Sequence, residues 1–222
     1  MSADLVQILL NATKETLYML LLTSLFAMIL GIPLGVLLMV TDKDGISSFP
    51  KLNKVLGICI NTVRSMPEVI LIIVLLPLSR LVVGTTLGAN AAIVAMSIGC
   101  APMIARIIES SLKEVGHGKI EAAEVMGATP LQIIVKVLLP EALPSIIRGL
   151  TIAIIGVLGF TAIAGTIGAG GLGSLAIRFG YQRFQTDILV STVCILLVLV
   201  QLLQITGDTV ARCINKKRYK SE

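Results

Sequence analysis

Five apolar runs, over residues 16–40, 55–78, 87–108, 145–165 and 188–205, set the limits on what this chain can fold into. Each is close to the ~20 residues that a helix needs to cross ~30 Å of hydrocarbon. Inside lipid a backbone amide finds no water, so a spanning segment must satisfy its hydrogen bonds internally or in a closed barrel. No alternating barrel pattern is visible, and the runs are therefore predicted to be the five transmembrane helices of an all-α integral membrane protein. Composition agrees, with 55% apolar and 14% charged residues and a mean hydropathy of +0.96, values outside those of ordinary soluble domains.

The polar remainder divides the chain into an outer amino-terminal segment (1–15), a membrane domain (16–210) interrupted by a polar insert (113–140), and a basic tail (211–222). Residues 1–15 carry Asp4, Lys14 and Glu15 and lack a basic start followed by a small-residue cleavage site, so the first span is expected to be retained. With five spans the termini lie on opposite sides, and charge chooses which. Lys43, Lys51 and Lys54 lie in the first loop, Lys113, Lys119 and Lys136 in the insert, and Arg212, Lys216, Lys217, Arg218 and Lys220 in the tail; the other side receives Lys14, Arg80, Arg178 and Arg183. The positive-inside bias thus predicts an outer amino terminus, a cytoplasmic insert and a cytoplasmic carboxyl terminus. This asymmetry accounts for the net charge of +5; nucleic-acid binding would need a soluble basic face.

The insert is built to form two short helices. Residues 119–126 are good helix formers with Glu121 and Glu124, and Gly127 supplies the left-handed conformation that ends many helices. Thr129 can cap the next helix, Pro130 suits its first turn, and Pro140 is expected to close it by disfavouring helical geometry at Leu139. Leu131, Ile134, Val135 and Leu138 fall at helical spacing as an apolar stripe. Such a stripe suits either a hairpin lying on lipid or a surface for a soluble partner.

The order Glu121-Ala122-Ala123, Gly127, Val137, Leu139-Pro140 resembles the EAA loop of bacterial ABC-importer permeases, with Val137 in place of the usual isoleucine. The resemblance implies that the loop docks in a cleft of a cytoplasmic ATPase. Its contact face would include Glu121, Ala122, Ala123, Gly127, Leu131, Ile134, Val135, Leu139 and Pro140.

Helix breakers interrupt three spans, at Gly31-Ile32-Pro33, Met66-Pro67 and Gly99-Cys100-Ala101-Pro102. Each frees a carbonyl and invites a kink, which can be static packing or a hinge. The fourth span carries Gly149-x-x-x-Ala153 and then Gly156 and Gly159, a small-residue face that permits close backbone approach at the pathway or at a subunit contact. Arg64 and Glu68 stand one helical turn apart in the second span. An ionisable group at mid-membrane costs ~2.5–3.5 kcal/mol on insertion scales, so the two either pair at the membrane edge or face a watery path. Arg64, Glu68, Gly156, Gly159 and Ile163 are the candidate pathway or gate residues. Arg64-Ser65-Met66-Pro67 is similar to an R-S-x-P feature of amino-acid permeases, although Glu68 departs from the apolar residue expected next.

Gly168-x-Gly170-x-x-Gly173 matches the dinucleotide fingerprint literally. It follows a membrane helix rather than a strand, which removes the context that motif requires. The glycines are expected to form a flexible outer turn or, with Arg178, Tyr181 and Arg183, a docking surface for an external binding protein. Cys59, Cys100, Cys194 and Cys213 show no C-x-x-C spacing and are expected to be packing residues, with neither metal nor disulfide. No nucleophile–base pair or H-E-x-x-H is present, His117 is the sole histidine, and the spans show no repeated halves of an ion-coupled carrier.

Across residues 12–210 the chain resembles the methionine-uptake branch of ABC-importer permeases. Residues 83–88 (VGTTLG), 126–130 (MGATP), 138–144 (LLPEALP) and 167–173 (IGAGGLG) carry the likeness. It implies a type I importer permease fold in a bacterial inner membrane, a homodimer enclosing the path, two ATPase subunits that use ATP and Mg2+, and an external substrate-binding protein. This chain itself would bind no cofactor and catalyse no reaction.

Overall fold

The computed structural model describes residues 3–219 and, among their side chains, those of residues 5–215. Helix α1 spans Ala3–Val40, α2 Pro50–Arg64, α3 Glu68–Val83, α4 Ala89–Lys113, α5 His117–Val125, α6 Pro130–Ile133, α7 Leu139–Thr166, α8 Gly171–Leu175 and α9 Thr186–Tyr219. Wide π turns at Ile134–Leu138 and Ala176–Tyr181 follow α6 and α8. Four segments among the described residues are long and apolar enough to cross a membrane, namely Leu5–Val40, Ala89–Lys113, Pro130–Thr166 and Thr186–Asn215; α2 and α3 reach that length only as a bent pair taken together.

The core lies along the α1–α4 contact. Met19, Ala27 and Met39 of α1 meet Ala92, Met96, Cys100, Ile104 and Ile108 of α4, and Val157 and Phe160 of α7 close the cluster. The backbones approach closely: a β-carbon at Gly31 would stand 2.8 Å from the Ala101 carbonyl oxygen, and one at Gly35 2.5 Å from that of Ala105. Burial this dense needs small residues, as expected where van der Waals packing rather than water exclusion joins helices.

Three expectations are corrected. The first helix starts at Ala3, well before residue 16, because Leu9 and Ala12 extend its apolar face and bury against Leu172 and Leu175. The second span is not one helix: α2 and α3 turn by 108° at residues 65–67, where Pro67 has no amide to continue the ladder and holds an extended ψ of 135°. Third, Pro140 does not end the insert's second helix. The Leu139 amide bonds back to the Ile134 carbonyl, five residues away, and this wider turn makes room for the proline ring and its missing donor. Residues 130–166 are thereby one continuous rod. Among the expected tail charges, Arg212 is exposed, whereas Lys216, Lys217, Arg218 and Lys220 lie outside the described side chains. The four cysteines are free; Cys100 packs in the core, while Cys59, Cys194 and Cys213 are exposed rather than packed.

Candidate functional site: the polar insert and its supports

Helix α5 seats Ile120 and Ala123 against the bundle and leaves Glu121, Ala122 and Glu124 outside. Its last turn closes through the Gly127 amide on the Glu124 carbonyl, 2.9 Å, and the Ala128 amide on the Ala123 carbonyl, 3.0 Å. Gly127 takes φ +77°, the left-handed end that the sequence predicts. The next helix begins with a reciprocal cap: the Gln132 amide donates to Thr129 Oγ1 at 3.4 Å, and the Thr129 amide donates to Gln132 Oε1 at 2.9 Å. Lys119 forms an ion pair with Glu141, and Ser145 Oγ donates to Glu114 Oε2 at 2.6 Å, so the amino-terminal foot of the insert is tied at two points to α7, into which its other foot runs directly.

The expected four-residue stripe divides. Leu138 is fully buried and is joined inside by Ile133, Ile134 is half-buried, and Leu131 and Val135 face outward. The division arises because the wide turn changes the angular step at residues 134–138, so one periodicity does not hold through Leu138. Leu139 is half-buried and Pro140 exposed. Val125 and Met126, which the periodicity of the second helix could not include, are 89% and 81% exposed. With Leu131 and Val135 they give the insert an apolar outer face beside Glu121 and Glu124. A patch of this kind on a polar projection marks a contact surface.

The candidate pathway residues do not form one cluster within a single chain. Arg64 ends α2 and Glu68 begins α3, both exposed. The expected one-turn pairing is lost at the bend, and no ion pair joins them among the described residues. A β-carbon at Gly156 would stand 3.6 Å from the end of the Met103 side chain, one at Gly159 would enter open space, and Ile163 is half-buried. Gly149 belongs to the chain's own core, since a β-carbon there would stand 2.3 Å from Ile107 Cγ2.

At the opposite end the glycine turn is held rather than loose. The Gly171 amide donates to Glu15 Oε2 and the Leu172 amide to Thr16 Oγ1, both at 2.8 Å. Residues Gly171 to Leu175 are buried, and Arg183 lies 4.7 Å above the Phe179 ring. Arg178, Tyr181 and Arg183 are exposed beside it.

A further charged group escaped the sequence reading. Glu109, only 7% exposed, accepts from Arg106 Nη1 at 2.6 Å and from Lys113 Nζ at 2.9 Å, and Lys113 Nζ also reaches Asp42 Oδ2 at 2.6 Å. The spacing of Arg106, Glu109 and Lys113 at i, i+3 and i+7 was the available signal; Asp42, remote in sequence, gave none. The Lys113 ammonium and the Lys43 amide hold the Asp42 carboxyl below its ordinary pKa.

A family model described as "Binding-protein-dependent transport system inner membrane component" matches residues 28–218. The chain is 48% identical over 210 residues to a probable D-methionine transport system permease protein MetI of Vibrio cholerae, covering 95% of this chain and 93% of that one. It is 46% identical over 207 residues to the methionine import system permease protein MetP of Bacillus subtilis, covering 93% of each. A chain from inward-facing structures of the MetNI methionine ABC transporter superposes with a TM-score of 0.95 at 40% identity, covering 96% of this chain and 99% of that one. A chain of an amino acid ABC transporter crystallised with histidines shares the fold at 20% identity, with a TM-score of 0.76 and coverage of 93% and 94%.

Proposed function

We propose, from the premise that this chain belongs to the family of binding-protein-dependent transport system inner membrane components, that it is the membrane-spanning subunit of an ATP-driven methionine importer. The observation that carries the reading is the insert: two short helices tied at the amino-terminal foot to α7 and continuous with it at the other, with Val125, Met126, Leu131 and Val135 turned outward, as are Glu121 and Glu124. That face suits a cleft on a cytoplasmic ATPase, and ATP with its Mg2+ would be held there and not on this chain. The methionine assignment rests on the named activity of the Vibrio and Bacillus relatives and of the MetNI transporter.

Two copies would enclose the path. The α2–α3 bend leaves Arg64 and Glu68 exposed, and charges carried where two apolar helices meet favour water beside them over lipid. An opening between two such bends, flanked by Gly156, Gly159 and Ile163, would pass a small zwitterion. Closure of two ATPases would draw two inserts together. Reversing a population from about 1:99 to 99:1 needs about 5.5 kcal/mol of differential binding, and two ATP-closed sites share that load. An external binding protein would meet the end bearing the glycine turn, Arg178, Tyr181 and Arg183, and would set most of the substrate selectivity.

Proteoliposomes holding this chain and its ATPase should accumulate radiolabelled D- or L-methionine only with ATP. Uptake driven by an ion gradient without ATP would overturn the reading, and uptake of another amino acid in preference would overturn the substrate. A Leu131→Asp change places a carboxylate on the proposed docking face, and should lower the ATPase that co-purifies with the chain by about tenfold or more, since an unpaired charge buried in an interface costs several kcal/mol. Orientation has its own check. A cysteine at Phe184, 86% exposed, should react with an impermeant reagent on intact cells, and one at Glu124 should react only after lysis; the reverse pattern would invert the topology.

A further inference from the structure

Three prolines that are far apart in sequence meet at one depth of the bundle, Pro33 and Pro102 inside the unbroken helices α1 and α4 and Pro67 at the α2–α3 bend. Gly31, two residues before Pro33, abuts Ala101 and Ile104; Gly99, three before Pro102, abuts Leu71. Ile60 packs with Ala105, so the chain passes from Ile60 to Leu71, through the 108° bend, alongside the turn of α4 that holds Pro102. On the insert side of this level, polar contacts bind α1, α2 and α4 together. Asn53 Nδ2 donates to the Leu38 carbonyl at 2.6 Å and to Thr41 Oγ1 at 3.2 Å, and Arg106 Nη2 donates to Asn61 Oδ1 at 2.9 Å and the Gly57 carbonyl at 3.3 Å. Arg106 also holds Glu109, which holds Lys113, which holds Asp42 beyond the end of α1. On the other side of the level the α1–α4 contact is mainly apolar, with Met19 and Ala27 against Ala92, Met96 and Cys100; a single exposed hydrogen bond, from Tyr18 Oη to Asn90 Oδ1 at 3.0 Å, joins the two helices there, and no ion pair does among the described residues.

We propose that Glu109 is a positioning residue for transport: by joining Arg106 to Lys113 and Asp42 it makes the insert-side ends of α1, α2 and α4 a single lever that swings about the level of Pro33, Pro67 and Pro102. The physical reason is a contrast in stiffness. Proline removes a rung of the helix ladder, so α4 pushed at its foot yields first near Pro102. A carboxylate as buried as Glu109 costs several kcal/mol unless compensated; Arg106 and Lys113, on its own helix, compensate it, and by fixing them it aims Arg106 at Gly57 and Asn61 of α2 and Lys113 at Asp42 beside α1. A displacement arriving through residues 114–116 therefore reaches α2 and the bend carrying Arg64 and Glu68, and is not absorbed between helices.

This inference rests on the importer reading, and the experiment separates the two. In proteoliposomes containing the permease–ATPase complex, radiolabelled methionine moved per ATP hydrolysed is compared for the wild type, Glu109→Gln, Asp42→Asn and Asp42→Glu. Glu109→Gln should lower that ratio by about fivefold or more, a coupling effect of ordinary size, with hydrolysis retained. Asp42→Asn, at a half-exposed loop position that folding tolerates, should lower it about threefold, and Asp42→Glu should restore it. A ratio unchanged in both neutral variants, or hydrolysis and uptake falling only in step with the amount of assembled complex, would overturn the lever. Spin labels at Ser48 and His117 give a reading that needs no import: one narrow distance distribution in the wild type, and a broadened one in Asp42→Asn. Equal widths would overturn the lever; absence of ATP-driven methionine uptake by the wild type would overturn the importer reading instead.

Discussion

Replacing Gly127 with valine should cut ATP-driven uptake by about tenfold or more while leaving membrane insertion and the yield of the chain unchanged, because about 1–2 kcal/mol of left-handed backbone strain for an ordinary L-residue, larger for a β-branched one, falls on the turn between the two insert helices. No atom lies within 4 Å of the position a β-carbon would take there, so the effect cannot come from crowding. It comes from φ +77° alone, and the turn relieves it by adopting another conformation that re-aims Leu131 and Val135 relative to Val125 and Met126. Asparagine, which tolerates the left-handed region, should retain most of the uptake. Uptake by the valine variant equal to the wild type would remove the turn from the coupling path, whereas loss of the chain from the membrane would make it a folding element.

At the other end of the bundle, Gly173→Ala should destabilise the protein by about 3 kcal/mol, at the severe end of overpacking effects, and lower its melting midpoint in detergent by about 5–10 °C. The cause is backbone against backbone. A β-carbon on Gly173 would stand 2.2 Å from the Ala162 carbonyl oxygen, and one on Gly165 2.4 Å from the Ser174 nitrogen. No rotamer change relieves that contact, so α8 must leave α7, and the two hydrogen bonds from Gly171 and Leu172 to Glu15 and Thr16 lengthen with it. Gly118→Ala, in a helix with open space at the added carbon, should be neutral or slightly stabilising and serves as the control. Equal midpoints for the two variants would show that α7 and α8 are not in the contact described.

The contrast between these two glycines shows what a single sequence reveals. Gly127 and the Thr129 cap were legible because a turn and a helix start are decided by residues within a few positions of each other. The requirement at Gly173 was not, since Ala162 meets it through tertiary packing; in sequence the same glycines looked like a flexible turn. Proline misled in one place for the same reason. Pro67 does break its span, but Pro140 is accommodated by a wide turn upstream, and only the surrounding contacts decide between a break and a bulge. The apolar runs located the long apolar helices apart from the second, which bends at Pro67, and the helix before residue 16 exists because Leu9 and Ala12 find Leu172 and Leu175. Among the charged residues, Arg64 and Glu68 drew notice by lying within a run, while Arg106 and Glu109 sit at the end of one, where ionisable groups are ordinary. Burial of Glu109 and its link to Asp42 are facts of the assembled bundle.

The wide turn at Ile134–Leu138 has a consequence for how such an insert can vary. It absorbs one residue beyond the ordinary α count, so deleting one there would restore a regular helix and leave Leu131 close to its present direction, whereas deleting one elsewhere in the rod would rotate it by about 100° relative to everything after Pro140. The insert can thus gain or lose a residue at this turn while the proposed contact face and every spanning contact keep their register, so that length varies there without re-aiming either.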